Sequence, residues 1–225
     1  MRYLHCAFIF LLALLLACQQ EQRSLEKAGA AVSGIDSLEA VQEEPQRKES
    51  SPGADTLSFE VAFSRFFQAL QTEDTVALNQ FIDPQQGFWL IEQPGAVPAY
   101  THYSSIQEVK RSYQNLPFVS ITQQMQACAL QEREEFPEFD CAWMDQGRTG
   151  YAEDGCFYTT ATSFRNTDMW QYANLSEQQE ENVQQMQQQV QQVVLHTPSS
   201  YRFYFMHDGA HWRLLFADLR VPCSA

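Results

Sequence analysis

Apolar and polar positions divide the chain into three stretches of different texture. The first is an apolar run from Cys6 to Ala17, preceded by Arg2 and followed at once by polar residues. Twelve helical residues span about 18 Å, short of the roughly 30 Å of bilayer hydrocarbon. Residues 1–17 therefore read as a secretory signal peptide and not as a membrane span. The second stretch, residues 18–56, is rich in Gln, Glu, Ser, Ala and Gly and carries no aromatic side chain. Such a segment cannot bury enough apolar surface to offset its ordering entropy. It is expected to be a disordered tether with ends roughly 35 Å apart. From Leu57 the aromatics crowd in, with Phe59, Phe63, Phe66, Phe67, Phe81, Phe88 and Trp89 in quick succession. Residues 57–225 are enough for one domain with a substantial core.

Within that domain the spacing of apolar residues predicts an α+β fold. Leu57, Val61, Phe66 and Leu70 lie near helical spacing and predict an amphipathic helix to Gln71. Asp74 is placed to cap a second helix that runs to Ile82 and stops at Asp83-Pro84. Phe88 to Ile91 reads as a strand, closed by the turn at Pro94-Gly95. Ser105 and Glu108 form a capping-box pattern, which predicts a helix over Ser105 to Tyr113. After Pro117 the text reads as strands at Phe118–Thr122, Met125–Leu130, Phe139–Met144 and Cys156–Ser163. A second capping box, Ser176 with Gln179, opens the longest helix, drawn to residue 195. Val183, Met186, Val190 and Val193 form its buried stripe on an otherwise glutamine-covered cylinder. The chain closes on a hairpin whose turn signal is Asp208-Gly209. A two-residue loop there sets Phe205 opposite Trp212, Phe203 opposite Leu214, Tyr201 opposite Phe216 and His211 opposite Met206.

Charge narrows the partners. The chain has 14 Lys and Arg against 28 Asp and Glu. Without residues 1–17, which hold Arg2 and no acidic residue, the balance is 13 against 28. No nucleic-acid partner is expected of so acidic a surface, and a second, electrostatic attachment to anionic lipid is disfavoured.

Candidate chemistry is sparse. Cys128, Cys141, Cys156 and Cys223 are an even set in an exported chain, which favours disulfides over metal or redox chemistry. Of the three possible pairings, Cys141–Cys156 across neighbouring strands with Cys128–Cys223 is favoured. The shorter loop alone would be worth roughly 3 kcal/mol. His207 and His211 invite a metal reading, but the two-residue turn puts them on opposite faces. The acidic stretch from Glu132 to Asp154 lacks the ligand spacing of a calcium loop and reads as solvated. There is no Gly-x-Ser-x-Gly elbow, no His-Glu-x-x-His motif and no phosphate loop. No catalytic residue, cofactor site or metal site is assigned. Trp89, Tyr100, Tyr103, Trp143 and Trp170 read as core or pocket lining.

Two resemblances add to this. Leu15-Leu16-Ala17-Cys18 resembles the lipobox of bacterial lipoproteins, apart from Leu16, where a smaller residue is usual. The resemblance implies cleavage before Cys18, lipidation of that cysteine, and a membrane anchor in the bacterial cell envelope. Gln19 in place of an Asp implies the outer membrane. The element order, with Asp208 to Phe216 as a closing strand, resembles the NTF2-like superfamily. That implies N-terminal helices packed on a curved antiparallel sheet around a pocket, here with one long amphipathic helix added before the last hairpin. The expected function is a non-catalytic, lipid-anchored envelope domain that binds an unknown ligand or envelope protein. The alternatives are a small-molecule enzyme with an NTF2-like pocket, or a structural or assembly subunit of an envelope complex.

Overall fold

Strands whose apolar residues point both ways must be covered on both faces, and that requirement organises the domain. The computed structural model describes residues 57–223. The segments read as a signal peptide and a tether, and Cys18 between them, lie outside the described residues. Seven strands form one mixed sheet: β1 (Phe88–Glu92), β2 (Ala99–Tyr103), β3 (Leu130–Glu132), β4 (Cys156–Thr160), β5 (Gln192–His196), β6 (Tyr201–His207) and β7 (Trp212–Asp218). Their order is β2-β1-β7-β6-β5-β4-β3. The β1/β7 and β3/β4 pairs are parallel and the others antiparallel.

Helix α1 (Phe59–Gln71) and the short α2 (Thr75–Asn79) cover the first face. Asp74 Oδ1 caps α2 by accepting from the Val76 and Ala77 amides. Phe63, Phe66 and Leu70 of α1 meet Phe88, Leu90, Phe203, Phe205 and Leu214 of the sheet in one buried cluster. Helix α5 (Glu177–Gln189) lies on the second face, where Val183 and Met186 join Trp89, Ile91, Val193, Leu215 and Phe216. The Ser176–Gln179 capping box is formed in full.

The hairpin differs from its expected register. His207 pairs with Trp212 and Phe205 with Leu214, so the loop is Asp208 to His211 and not Asp208-Gly209 alone. Asp208 makes the longer loop, because its carboxylate accepts from the Ala210 and His211 amides and pairs with Arg213 at 2.7 Å. Further along, Tyr204 pairs with Phe216, leaving Leu215 as an extra residue. That bulge turns both Leu215 and Phe216 to the α5 face and returns Ala217 to the α1 face. The two-residue register, including the expected partners of Phe203, Tyr201 and His211, is therefore corrected.

Other elements are shorter or different. The helix expected from Ser105 is only a 3-10 turn at Ile106–Glu108. Phe118–Gln124 is also 3-10 and not a strand, since a three-residue repeat buries both Phe118 and Ile121. Residues 125–129 are unpaired, and β3 starts at Leu130. The segment read as a strand over Phe139–Met144 contains helix α3 (Cys141–Asp145), capped by Asp140. Strand β4 stops at Thr160 and gives way to helix α4 (Thr162–Arg165). Helix α5 ends at Gln189, where Val190 turns extended and starts the chain into β5. Val193 still packs in the α5 cluster, but from the strand. Among the described residues no helix is long and apolar enough to cross a membrane.

Candidate functional site

Helix α5 does not cover all of the second face. The remainder, towards the end of β7, forms a groove of about 650 Å³. Strand alternation supplies its floor. Tyr100 lies on β2, Arg202 and Tyr204 on β6, Val193 on β5 and Asp218 at the end of β7, all on the same side of the sheet. Arg202 and Asp218 are cross-strand partners. The walls come from Glu134, Glu135 and Phe136 on one side and from α4 and the residues after it on the other.

The α4 wall is held by glutamines. Gln187, buried on α5, donates through Nε2 to the carbonyls of Phe164 and Thr167, the latter at 2.7 Å. Gln188 donates to the Arg165 carbonyl, and the Arg165 guanidinium donates to the Val190 carbonyl. Four carbonyls near the ends of α4 and α5 thus gain side-chain donors. This fixes Phe164 against Tyr204, with ring centroids 3.8 Å apart and the rings stacked. Two glutamines outside the expected buried stripe of α5 are therefore structural.

Electrostatics divide the two arginines of the groove. Arg220 holds Asp218 in a bidentate ion pair, Nε to Oδ1 at 2.8 Å and Nη2 to Oδ2 at 2.7 Å. Burial works against the Arg220 charge, but the hydrogen bonds and attraction of Asp218 outweigh it and raise its pKa further. Arg202 makes no ion pair among the described residues; its Nη2 donates to the Tyr151 hydroxyl at 3.1 Å. Burial pushes the Tyr100 phenol up to about 12, with Arg220 and Asp218 pulling in opposite directions. Tyr204 is raised as well, again chiefly by burial. Both phenols stay protonated and able to donate. Neither hydroxyl has a hydrogen-bond partner among the described residues.

The cysteines pair otherwise than expected. Cys128 bonds to Cys156 and Cys141 to Cys223, with Cα atoms 5.6 and 6.0 Å apart. The expected Cys141–Cys156 bridge assumed two neighbouring strands, but Cys141 opens a helix. Cys128 instead approaches β4 on the way into β3, which runs beside it. His207 stacks edge-on with Trp212, and His211 sits in the loop beside Arg213. Trp89 is core, with its indole bonded to Asn182, and Trp143 lies under Arg148. Of the acidic stretch, Glu134 and Glu135 reach the groove, while Glu153 pairs with Arg133. Tyr100 alone of the singled-out aromatics lines the groove.

Sequence reading missed Arg202, Tyr204, Asp218 and Arg220. A signal was available: charged residues at Arg202 and Asp218 interrupt aromatic and aliphatic runs at core-strand spacing. It also missed His196, which is fully buried between Ser199 (Nδ1 to Oγ, 2.7 Å) and the Gln126 carbonyl (Nε2 to O, 3.0 Å). Burial lowers the His196 pKa, partly opposed by Gln126 and Asp154.

Comparison with known proteins finds no matching family model, no matching curated protein and no matching solved structure.

Two predictions follow from this geometry. Asp218→Asn keeps the side-chain shape but removes the charge that neutralises a mostly buried guanidinium. It should cost about 2–4 kcal/mol in guanidinium denaturation, more than Glu153→Gln at the exposed pair. His196 is neutral when folded, with a pKa below its ordinary value of about 6.5. The unfolded chain therefore binds the extra proton first as pH falls through that value. Stability should be full above about pH 6.5 and decline below it. Urea unfolding midpoints taken between about pH 7.5 and 5.5 should fall, and the fall should be smaller in His196→Gln.

Proposed function

We propose that the protein is a non-catalytic, lipid-anchored envelope protein whose groove binds a small molecule or chain end bearing a carboxylate next to an aromatic or apolar body. The observation that carries this reading is Arg202, a guanidinium with no ion-paired carboxylate among the described residues, on an aromatic floor. A planar carboxylate can accept two parallel hydrogen bonds from such a group. Tyr100 and Tyr204 offer two further donors, and Phe164 offers a ring face. Glu134 and Glu135 on the wall disfavour a second negative charge and suit a neutral or cationic far end.

The lipobox resemblance supports an anchor through Cys18, cleavage after Ala17, and residence in the bacterial outer membrane. The chain before Leu57 would act as the tether. Helices α1 and α2 on one face of the sheet support an NTF2-like reading of the fold, with α5 and the groove as additions on the other face.

The groove is tested with N-acetylphenylalanine and its amide as probes, by ligand-observed NMR and calorimetry. The carboxylate should bind and the amide should not, and Arg202→Ala should weaken the carboxylate by about 10–100-fold. Equal binding of acid and amide, or an unchanged affinity in Arg202→Ala, overturns the ligand class. For the anchor, intact mass of the membrane-extracted protein should show acyl chains on residue 18 that Cys18→Ala lacks. An unlipidated wild-type N-terminus overturns it.

A further inference from the structure

Away from the groove, three metal-ligating side chains meet. The sulfurs of Cys128 and Cys156 and a ring nitrogen of His196 all lie within 4.8 Å of one another. They come from three parts of the chain. Cys156 and His196 face each other directly across the β4/β5 pair, and Cys128 arrives from the segment that leads into β3. With the disulfide closed, the sulfurs are bonded to each other and neither is a thiolate.

We propose that in the reduced protein this cluster binds one zinc(II) ion through the two thiolates and His196, so that the disulfide and the metal are alternative occupants of one site. Reduction needs two electrons, supplied by a dithiol. The first dithiol sulfur attacks Cys128 Sγ, the Cys128–Cys156 bond breaks, and Cys156 leaves as a thiolate. The second dithiol sulfur then displaces Cys128 and closes the reductant's own disulfide. Both cysteine thiols lose their protons to solvent as zinc binds. Two thiolates and a divalent cation sum to zero charge, which a buried site tolerates far better than a lone ion.

Three further observations fit this assignment. The first is an entry path: Cys128 is half-buried and lines a groove of about 400 Å³ with Phe63, Ser64, Phe67 and Leu130, whereas Cys156 is fully buried. A reductant reaches the outer sulfur, and the inner one is the natural leaving group. The second is the support around the imidazole. Whichever ring nitrogen takes the metal, the other keeps a partner, the Gln126 carbonyl or the Ser199 hydroxyl, and that is how histidine ligands are ordinarily oriented. The third is protonation: burial keeps His196 neutral, the form that ligates. Three protein ligands leave the fourth tetrahedral position to water or to the Ser199 hydroxyl.

The test uses the chain with Cys6→Ser, Cys18→Ser, Cys141→Ser and Cys223→Ser, so that only the proposed thiol pair remains. After anaerobic reduction it is titrated with cobalt(II) and then zinc(II). The expected result is one cobalt per chain with a thiolate-to-cobalt charge-transfer band, displaced by zinc and absent from the oxidised protein. His196→Gln should weaken binding by roughly tenfold or more. X-ray absorption of the reduced wild-type chain with one equivalent of zinc covers the case in which these variants fail to fold. It should show sulfur near 2.3 Å and nitrogen near 2.0 Å, about two sulfurs to one imidazole. A sulfur-only shell, a shell without sulfur, or cobalt binding equal in folded His196→Gln overturns the proposal. None of these outcomes bears on the Arg202 groove, so the two readings fail separately.

Discussion

The structure depends on one constraint: the central strands are apolar on both sides. In β1 all five residues are buried, with Phe88 and Leu90 facing α1 and Trp89 and Ile91 facing α5. A sheet with two apolar faces needs two covers, and among the described residues only two α-helices, α1 and α5, run beyond five residues. Helix α1 brings a broad aromatic stripe and fills its side. Helix α5 brings two buried aliphatics and a run of glutamines, and covers only part of the other. The groove is the uncovered remainder of that second face.

The bulge at Leu215 makes this arrangement possible. Without an extra residue in β7, strict alternation would send Leu214 and Phe216 to the same side. With it, Leu214 serves the α1 core and Phe216 the α5 core, beside Phe164 and Tyr204. Beyond the bulge the register brings Asp218 opposite Arg202. Buried charge at the groove thus depends on a single irregularity in strand pairing.

Much of the fold was legible in the sequence, and the failures have physical causes. Helix α1, the Asp74 cap, β1 and the Ser176 capping box depend on local spacing and local hydrogen bonds, and all four formed. The hairpin turn failed because Asp208 has more than one use. Its carboxylate bonds amides two and three residues on and pairs with Arg213, which favours a wider loop than Asp-Gly suggests. The long helix was overdrawn because Val190 and Val193 continue its period while belonging to the chain's turn into a strand. The disulfide pairing depended on which strands are neighbours, and one supposed strand is a helix. The groove was least visible of all. It consists of strand positions that share a face only once the sheet order and the bulge are known.

The indole of Trp212 donates to the Leu57 carbonyl at 3.2 Å, which pins the start of the described chain to the first residue of β7. Asp218, at the groove, ends the same strand, about 20 Å away along it. Residue 57 and the groove therefore lie at opposite poles of one strand. A pull on the chain ahead of Leu57 would enter the domain at the hairpin end and be carried by the sheet. The arginine-lined groove lies at the far end of that strand from the point of entry.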